Sequence, residues 1–401
     1  MIKKKFNGQR LREALQFRSM KMTELAKQTG ISKQSMSLYA NNENNPPYEN
    51  VIKIAKALSF PFDFFMTEDL CTTSTSNTYF RSQAATRKRA QKAQQQRLEY
   101  IAKLQEVLLD YVDLPQLDLP STDAFTKSFP EPQTLPVESI SAEIEALARQ
   151  TREYWNLGTG PIANIKYQLE SHGIFVTSGH DIDQKIDAFS QKVNIKGSGS
   201  IFLIGLSTDG RSKVRLNFDM AHELGHILMH NWDDSNEDLT HEEFTNLEKQ
   251  ANMFASAFLL PRESFVPDIA PYATSIKYYF QLKSKWQTSM QAMMFRARQL
   301  GIISNNQYQY MIRTLSAKGW RTNEPGDVKG TVKETIFQSI ISLLLGEGGL
   351  TPETLMKAFH KYNLYFSQKD IEELLGLTPG TLSIKAKVIP LVSIKKKLQD
   401  A

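Results

Sequence analysis

The residues best suited to chemistry lie in one short segment, His222-Glu223-Leu224-Gly225-His226. Two histidines four residues apart share one face of a helix, so their imidazoles can bind one tetrahedral zinc ion. Zinc lowers the pKa of the water it binds to about 7, and the adjacent Glu223 can accept that water's proton during attack on a peptide carbonyl. The segment therefore predicts a zinc-dependent peptidase with Glu223 as general base.

A third protein ligand must complete the zinc site. One large peptidase class places a histidine six residues after the second histidine, but this chain has Trp232 there. His230 lies on the same helix face as the two ligands. A helix rises about 6 Å over four residues, however, so three histidines at this spacing cannot easily surround one ion.

Glu248 is the better candidate for the third ligand, because it belongs to a second helical segment that can pass beside the first. The small residues Ala251 and Ala255 allow that close approach. Asn252, one turn beyond Glu248, is expected to orient a ligating histidine without touching the metal, and His230 is expected to have a similar supporting or structural role.

Two interpretations of the histidine motif are a metal site and a pair of histidines that only pack in a core. The sequence around the motif favours the metal site. The motif alone also occurs by chance. Here we expect a strand at Val214 to Phe218, an amphipathic helix at 219–231 that carries the motif, and the helix of Glu248 at 241–259. Further segments predicted around them are helices at Ile140 to Tyr154 and 287–300, and strands at Ile174 to Thr177 and Ile201 to Leu206. The chain is thus predicted to be α+β and mainly helical, with a small sheet in the peptidase domain.

A second candidate site lies near the N-terminus. Residues from Met22 to Tyr39 read as two helices separated by Gly30, the pattern of a helix-turn-helix. If Met36 faces inward, four polar side chains at the start of the second helix can reach phosphates and base edges of double-stranded DNA: Lys33, Gln34, Ser35 and Ser37. The alternative is a small helical domain used only for protein contacts.

Composition divides the chain into four predicted segments. Residues 1–70 form the helix-turn-helix bundle, and 71–137 a Ser/Thr-rich stretch, a basic helix from Arg81 to Lys103 and a Pro-rich linker. The peptidase domain covers 138–325, and 326–401 form a helical C-terminal region with capped helix starts at Thr351 and Ser367.

Bulk composition excludes several classes of protein. A single cysteine, Cys71, excludes a disulfide framework and a Cys-rich zinc site, and suits a reducing compartment. The longest apolar runs are too short to span a membrane, and the lysines near the N-terminus precede no apolar core of a signal peptide. We therefore expect a cytoplasmic protein without a membrane partner. The net charge of +5 permits an anionic partner without requiring one.

With both sites in view, the chain resembles an XRE-type helix-turn-helix regulator fused to an ImmA/IrrE-type zinc metallopeptidase of gluzincin-like fold. The XRE-like motifs are Leu25-Ala26, Gly30-Ile31-Ser32 and 60–65. The peptidase-like motifs are Gly160-Pro161-Ile162, Asp187-Ala188-Phe189-Ser190, Ala221 to His226, Glu248 to Ala255, Leu259-Leu260-Pro261, 286–292 and 319–325. The resemblance implies zinc held by His222, His226 and Glu248, with cleavage of a specific helix-turn-helix repressor or antitoxin-like partner that derepresses stress, phage or mobile-element genes.

Three functions remain open at this stage. The first is a site-specific peptidase with regulatory DNA binding, acting as a monomer or homodimer. The second is a transcription regulator whose peptidase-like domain is a non-catalytic sensor, although the intact set of His222, Glu223, His226 and Glu248 argues against it. The third is the toxin of a toxin–antitoxin pair.

Overall fold

The computed structural model describes residues 5–80, 88–179, 188–195, 199–207, 210–232, 239–330 and 335–383. Most of these residues are helical, and four strands form one sheet. The predicted fold class, mainly helical α+β, is confirmed. Asp187 of the peptidase-like motifs, Arg81 at the start of the predicted basic helix and the end of the C-terminal region lie outside the described residues.

The N-terminal part of the chain forms the predicted helix-turn-helix bundle. Its helices are α1 (Gly8–Phe17), α2 (Met22–Thr29), α3 (Lys33–Ala40) and α4 (Tyr48–Leu58). Gly30 ends α2 with φ of 70°, a left-handed conformation that glycine adopts without steric cost. Ser32 then caps α3 by accepting a hydrogen bond from the backbone N–H of Ser35. These two residues fix the turn between the helices.

The segment predicted to link the two domains contributes to the fold directly. Its Ser/Thr-rich stretch forms strand β1 (Ser74–Phe80), and its basic stretch enters helix α5 (Lys88–Leu108). The Pro-rich part carries a short helix, α6 (Asp123–Ser128), and two 3-10 turns, Pro132–Thr134 and Val137–Ile140. The predicted basic helix is therefore present as α5 over its described residues, whereas the Pro-rich part is not the purely extended connection that was expected.

The sheet has the strand order β1-β3-β4-β2, with β2 (Ile174–Gly179), β3 (Ala188–Ile195) and β4 (Gly199–Ser207). β3 pairs antiparallel with β1 and with β4, whereas β2 runs parallel to β4. The sequence predicted β2 and β4 because both are continuous apolar runs. It missed β1 and β3, in which polar residues interrupt the apolar pattern. β1 pairs with a strand far along the chain, whereas β3 also pairs with the adjacent β4.

The histidine motif lies in helix α9 (Lys213–Met229), which begins earlier than expected. The predicted strand at Val214 to Phe218 is wrong, because these residues form the first turns of α9. The alternation of apolar residues there imitates a strand, but Leu216 and Met220 lie one helical turn apart and both are buried.

The remaining helices surround this centre. They are α7 (Ser141–Tyr154), α8 (Ile165–Ser171), α10 (His241–Leu259), α11 (Arg262–Ile269), α12 (Ile276–Trp286), α13 (Met290–Gln299), α14 (Asn305–Ala317), α15 (Ile336–Leu345), α16 (Pro352–Lys361) and α17 (Gln368–Leu375). α10 has the predicted bounds, and Thr351 and Ser367 cap α16 and α17 as expected.

Two hydrophobic cores share the sheet. One face packs against α5, the helix-turn-helix bundle and α15 to α17, and the other packs against α7 to α14. Phe366, just before α17, contacts the rings of Phe17, Phe60 and Tyr100, and Arg18 pairs with Asp370 at 2.8 Å. Because this packing crosses the predicted boundaries near residues 70 and 326, the four-segment division stays a prediction.

Candidate metal centre

Two adjacent helices bring the three predicted ligands together. His222 and His226 on α9 and Glu248 on α10 have donor atoms that all lie within 4.8 Å of one another. The two histidines are almost fully buried, with 1% and 2% of their side chains exposed. The helices approach closely because position 225 is glycine, where a Cβ atom would stand 3.2 Å from the Cα of Ala251.

The spacing of the donor atoms suits zinc. In a tetrahedral site with bonds of about 2.0–2.1 Å, neighbouring ligand atoms lie about 3.3 Å apart. The Nε2 atoms of His222 and His226 are 3.0 Å apart, and the carboxylate oxygens of Glu248 lie 3.5 and 3.3 Å from them. Two imidazole nitrogens and one carboxylate are also a ligand set that zinc commonly takes.

The hydrogen bonds of His222 leave the correct atom for a metal. Its Nδ1 lies 3.1 Å from Oδ1 of Asn252, an amide oxygen that accepts but cannot donate. Nδ1 must therefore carry the proton, and Nε2 keeps its lone pair on the side of Glu248. Asn252 stands where it was expected to orient a ligating histidine.

A longer relay orients His226. Its Nδ1 lies 2.7 Å from Nδ1 of His230, whose Nε2 lies 3.3 Å from Oε1 of Gln250. Because that amide oxygen only accepts, His230 carries its proton on Nε2 and accepts from His226 through Nδ1. The amide nitrogen of Gln250 in turn donates to the carbonyl oxygens of Pro132 and Leu135. Both histidines thus present unprotonated Nε2 atoms 3.0 Å apart, an arrangement that a cation between them stabilises.

The charge states of the surrounding groups follow from burial and neighbours. Burial, and then the proximity of His226, lower the pKa of His230 well below its usual value, so this imidazole is neutral. For Glu248, burial favours the protonated acid, but positive charge on the side of His222 and His226, whether a proton or a metal ion, holds its pKa well below the usual range. The carboxylate is therefore ionised, as metal binding requires.

Glu223 is 2% exposed, and one carboxylate oxygen, Oε2, accepts a hydrogen bond of 2.6 Å from the hydroxyl of Ser190 on β3. Ser190 itself is fully buried on the sheet face that packs against α9. The sequence indicated Ser190 only as part of a motif and predicted no role for it. The two residues are distant in sequence, and the strand that joins them spatially was not predicted.

The predicted DNA-contacting residues lie together on α3. Lys33, Gln34 and Ser37 are exposed, and Met36 is buried in the bundle as expected. Ser35 is half-buried, and its hydroxyl accepts a hydrogen bond of 2.9 Å from the hydroxyl of Ser32. Three of the four side chains therefore project from the bundle, and the fourth takes part in the cap of the helix.

Comparison with known families agrees with both halves of this description. Residues 169–298 match the Peptidase M78 family model, described as an IrrE N-terminal-like domain, and residues 11–65 match a helix-turn-helix model. The predicted fusion of an XRE-type helix-turn-helix with an ImmA/IrrE-type domain is confirmed. No curated protein matches the chain in sequence. Within the described residues, no helix is long and apolar enough to cross a membrane.

Proposed function

We propose that this regulator is a zinc-dependent endopeptidase that cleaves a specific helix-turn-helix repressor or antitoxin-like partner and thereby derepresses stress, phage or mobile-element genes. One observation carries the proposal: donor atoms of His222, His226 and Glu248 converge within 4.8 Å, and the buried Glu223 directly follows His222 on α9. Two helices and several buried hydrogen bonds hold this arrangement in place. Burial of these polar groups costs free energy, so the arrangement would not stabilise the fold if the site were unused.

Each residue has a distinct task in this mechanism. His222, His226 and Glu248 would hold a zinc ion, which would supply Lewis-acid chemistry by polarising a peptide carbonyl and lowering the pKa of water. Glu223 accepts a proton from the attacking water and donates it to the departing amine. The hydroxyl of Ser190 fixes the plane of that carboxylate through Oε2. Asn252 and His230 keep the ligating imidazoles in the correct tautomer.

The DNA-binding domain gives the peptidase access to a particular kind of substrate. A domain that binds a promoter can hold the peptidase near a repressor bound at the same promoter, and such proximity raises the effective concentration of the enzyme around that target. Helix-turn-helix proteins that bind symmetric operators do so as dimers, so we extend the proposal to a homodimer on double-stranded DNA. We place this activity in the cytoplasm, where the single Cys71 stays reduced.

The test is capture of the substrate by a Glu223→Gln variant. This variant should keep zinc and the fold, because an amide replaces a carboxylate of equal size, but it cannot accept the proton. We expect it to retain a helix-turn-helix protein encoded nearby, and the wild-type enzyme to cut that purified protein while leaving casein intact. Rapid digestion of casein, or cleavage of the captured protein by Glu223→Gln, would contradict the proposal.

A further inference from the structure

The edge of the sheet beside Glu223 is covered by the chain's own strand β1. β3 pairs along its whole length with β4, so among the described strands only its other edge can receive a partner. β1 lies on that edge, antiparallel, and its last residues pair as Thr78 with Gln191, Tyr79 with Ser190, and Phe80 with Phe189. The residue that holds Glu223, Ser190, is thus directly opposite β1.

An extended peptide substrate needs the same position. Peptides commonly bind proteins by adding a strand to a sheet edge, where their backbone N–H and C=O groups find partners. Neighbouring strands lie about 4.8 Å apart, so a peptide on the edge of β3 would pass close to Ser190 and to the carboxylate that it holds. On the described sheet, no other strand edge lies against the residue that positions Glu223.

β1 is held firmly at one end and weakly along its length. The backbone N–H groups of Thr72 and Thr73, just before the strand, donate to the carboxylate of Glu106 on α5 at 2.9 and 3.0 Å. The pairing with β3 then shifts register between Thr75 and Thr78. Such an irregularity interrupts the ladder of hydrogen bonds, and Asn77 within it is a residue type that is depleted in strands.

We propose that β1 is a self-inhibitory strand, which occupies the edge of β3 until an extended segment of the protein substrate displaces it. The inference rests on the proposed peptidase function and specifies how that activity is restrained. A substrate must offer more binding free energy on this edge than β1 does. Unfolded proteins without a matching sequence therefore bind poorly, whereas a fitting repressor segment gains access.

A reversible disulfide between β1 and β3 tests the inference. Directly opposite residues on antiparallel strands have Cβ atoms about 4.5–5.5 Å apart, which a small adjustment brings within disulfide reach. We would make Thr78→Cys with Gln191→Cys in a Cys71→Ser background, and Thr75→Cys with Val193→Cys as a second pair should the first not fold. The single variant Gln191→Cys is the matched control, and a phosphine reductant opens the bridge without removing zinc.

Two hydroxamates serve as probes. Binding of a tripeptide hydroxamate requires both the metal ion and the free edge of β3, whereas binding of acetohydroxamate requires only the metal ion. After oxidation, the tripeptide hydroxamate should bind at least about tenfold more weakly than after reduction, because the lock removes the open population that binding requires. Acetohydroxamate should bind both forms equally. In a Thr78→Pro variant, which lacks one strand N–H, the tripeptide hydroxamate should bind more tightly.

The outcomes separate the two claims. Equal binding of the tripeptide hydroxamate to locked and opened protein, with acetohydroxamate bound by both, would overturn the inhibitory strand and leave the metal centre standing. Failure of zinc-treated protein to bind acetohydroxamate in either form would overturn the proposed function and the inhibitory strand with it.

Discussion

Two of the three predicted zinc ligands are oriented by side chains outside the predicted ligand set. Each of the two imidazoles has its Nδ1 hydrogen-bonded, that of His222 to Asn252 on α10 and that of His226 to His230, which immediately follows α9. We therefore expect the affinity for zinc to depend on both hydrogen-bond systems, because each of them holds one imidazole in place. Loss of either should weaken the metal without removing a ligand.

The first prediction concerns zinc content. Purified protein should carry about one zinc ion per chain, and His222→Ala, His226→Ala or Glu248→Ala should lose it, since each removes one of three protein ligands. His230→Ala should keep zinc at high concentration but bind it about 10- to 100-fold more weakly, because the relay that orients His226 is broken. Metal analysis after dialysis against a graded chelator measures both effects.

A half-buried histidine outside the predicted ligand set is the control for that experiment. His360 lies on α16, and His360→Ala should leave the zinc content unchanged. Full zinc occupancy in Glu248→Ala together with loss in His230→Ala would show that the third ligand is His230 instead.

At the scale of elements, the site exists because α9 and α10 touch at Gly225. A Cβ atom there would meet the Cα of Ala251 and the Cβ of Phe254, each at 3.2 Å, and neither atom can move without its helix. The contact sets the distance between the histidines on α9 and Glu248 on α10.

The second prediction follows from this contact. Gly225→Val should force the helices apart, cost about 1–3 kcal/mol of stability and weaken zinc binding, although valine suits a helix better than glycine does. Urea unfolding and zinc titration measure the two effects. Gly160→Ala is the control, because a Cβ at that position meets nothing within 4 Å. Unchanged zinc affinity in Gly225→Val would show that the helix spacing does not control the site.

The third prediction concerns α3. The full chain should bind duplex DNA with an affinity that falls as salt rises, through release of condensed counterions. Lys33→Ala should weaken binding to all sequences and lower the salt slope by about 1, whereas Gln34→Ala should relax discrimination at one base position. Lys318→Ala, beyond α14, is the control. Absence of binding at low salt would favour a bundle used for protein contacts.

Some helices and strands could be predicted from the sequence and others could not. Helices α9 and α10 and their ligand set were predictable because histidine spacing and helical periodicity are local signals. β1 was not, since its identity as a strand depends on pairing with residues more than a hundred positions away. β3 was missed although it forms a hairpin with the following β4, because serine, glutamine and lysine interrupt its apolar residues. The role of Ser190 was hidden for the same reason, although its hydrogen bond to Glu223 is among the shortest contacts of the site.

At the scale of the whole molecule, the described helix-turn-helix bundle and peptidase-like domain pack around one sheet. α5 and the C-terminal helices cover the sheet face opposite α9, and Phe366 and Asp370 tie those helices to the bundle. Because the bundle shares its core with later residues, the DNA-binding experiment above uses the full chain.

The fourth prediction concerns the contact between α8 and the C-terminal region. The carboxylate of Glu170 is buried, accepts a hydrogen bond of 3.4 Å from the N–H of Ile336, and lies 4.0 Å from the ammonium of Lys166. Burial raises the pKa of Glu170 from 4.5 to about 7. The folded state thus holds this proton more tightly than the unfolded state, so stability falls as pH rises from about 4.5 to 7.

The substitution Glu170→Gln should remove this dependence of the free energy of unfolding on pH. The variant should be close to wild type at pH 5 and more stable than wild type at pH 8, by up to about 3 kcal/mol. Chemical unfolding at a series of pH values measures the difference, and Glu153→Gln on the exposed face of α7 is the control. A difference between Glu170→Gln and wild type that does not vary with pH would contradict the assignment.

Cleavage of a protein partner by this regulator, with Glu223 taking part in the reaction, can be tested in cells. The most direct test labels new protein N-termini in cells that express either the wild-type chain or Glu223→Gln at equal levels. The wild-type chain should generate one or a few new termini, within a helix-turn-helix protein, that are missing with Glu223→Gln. Identical sets of termini in the two cultures would contradict cleavage that depends on Glu223.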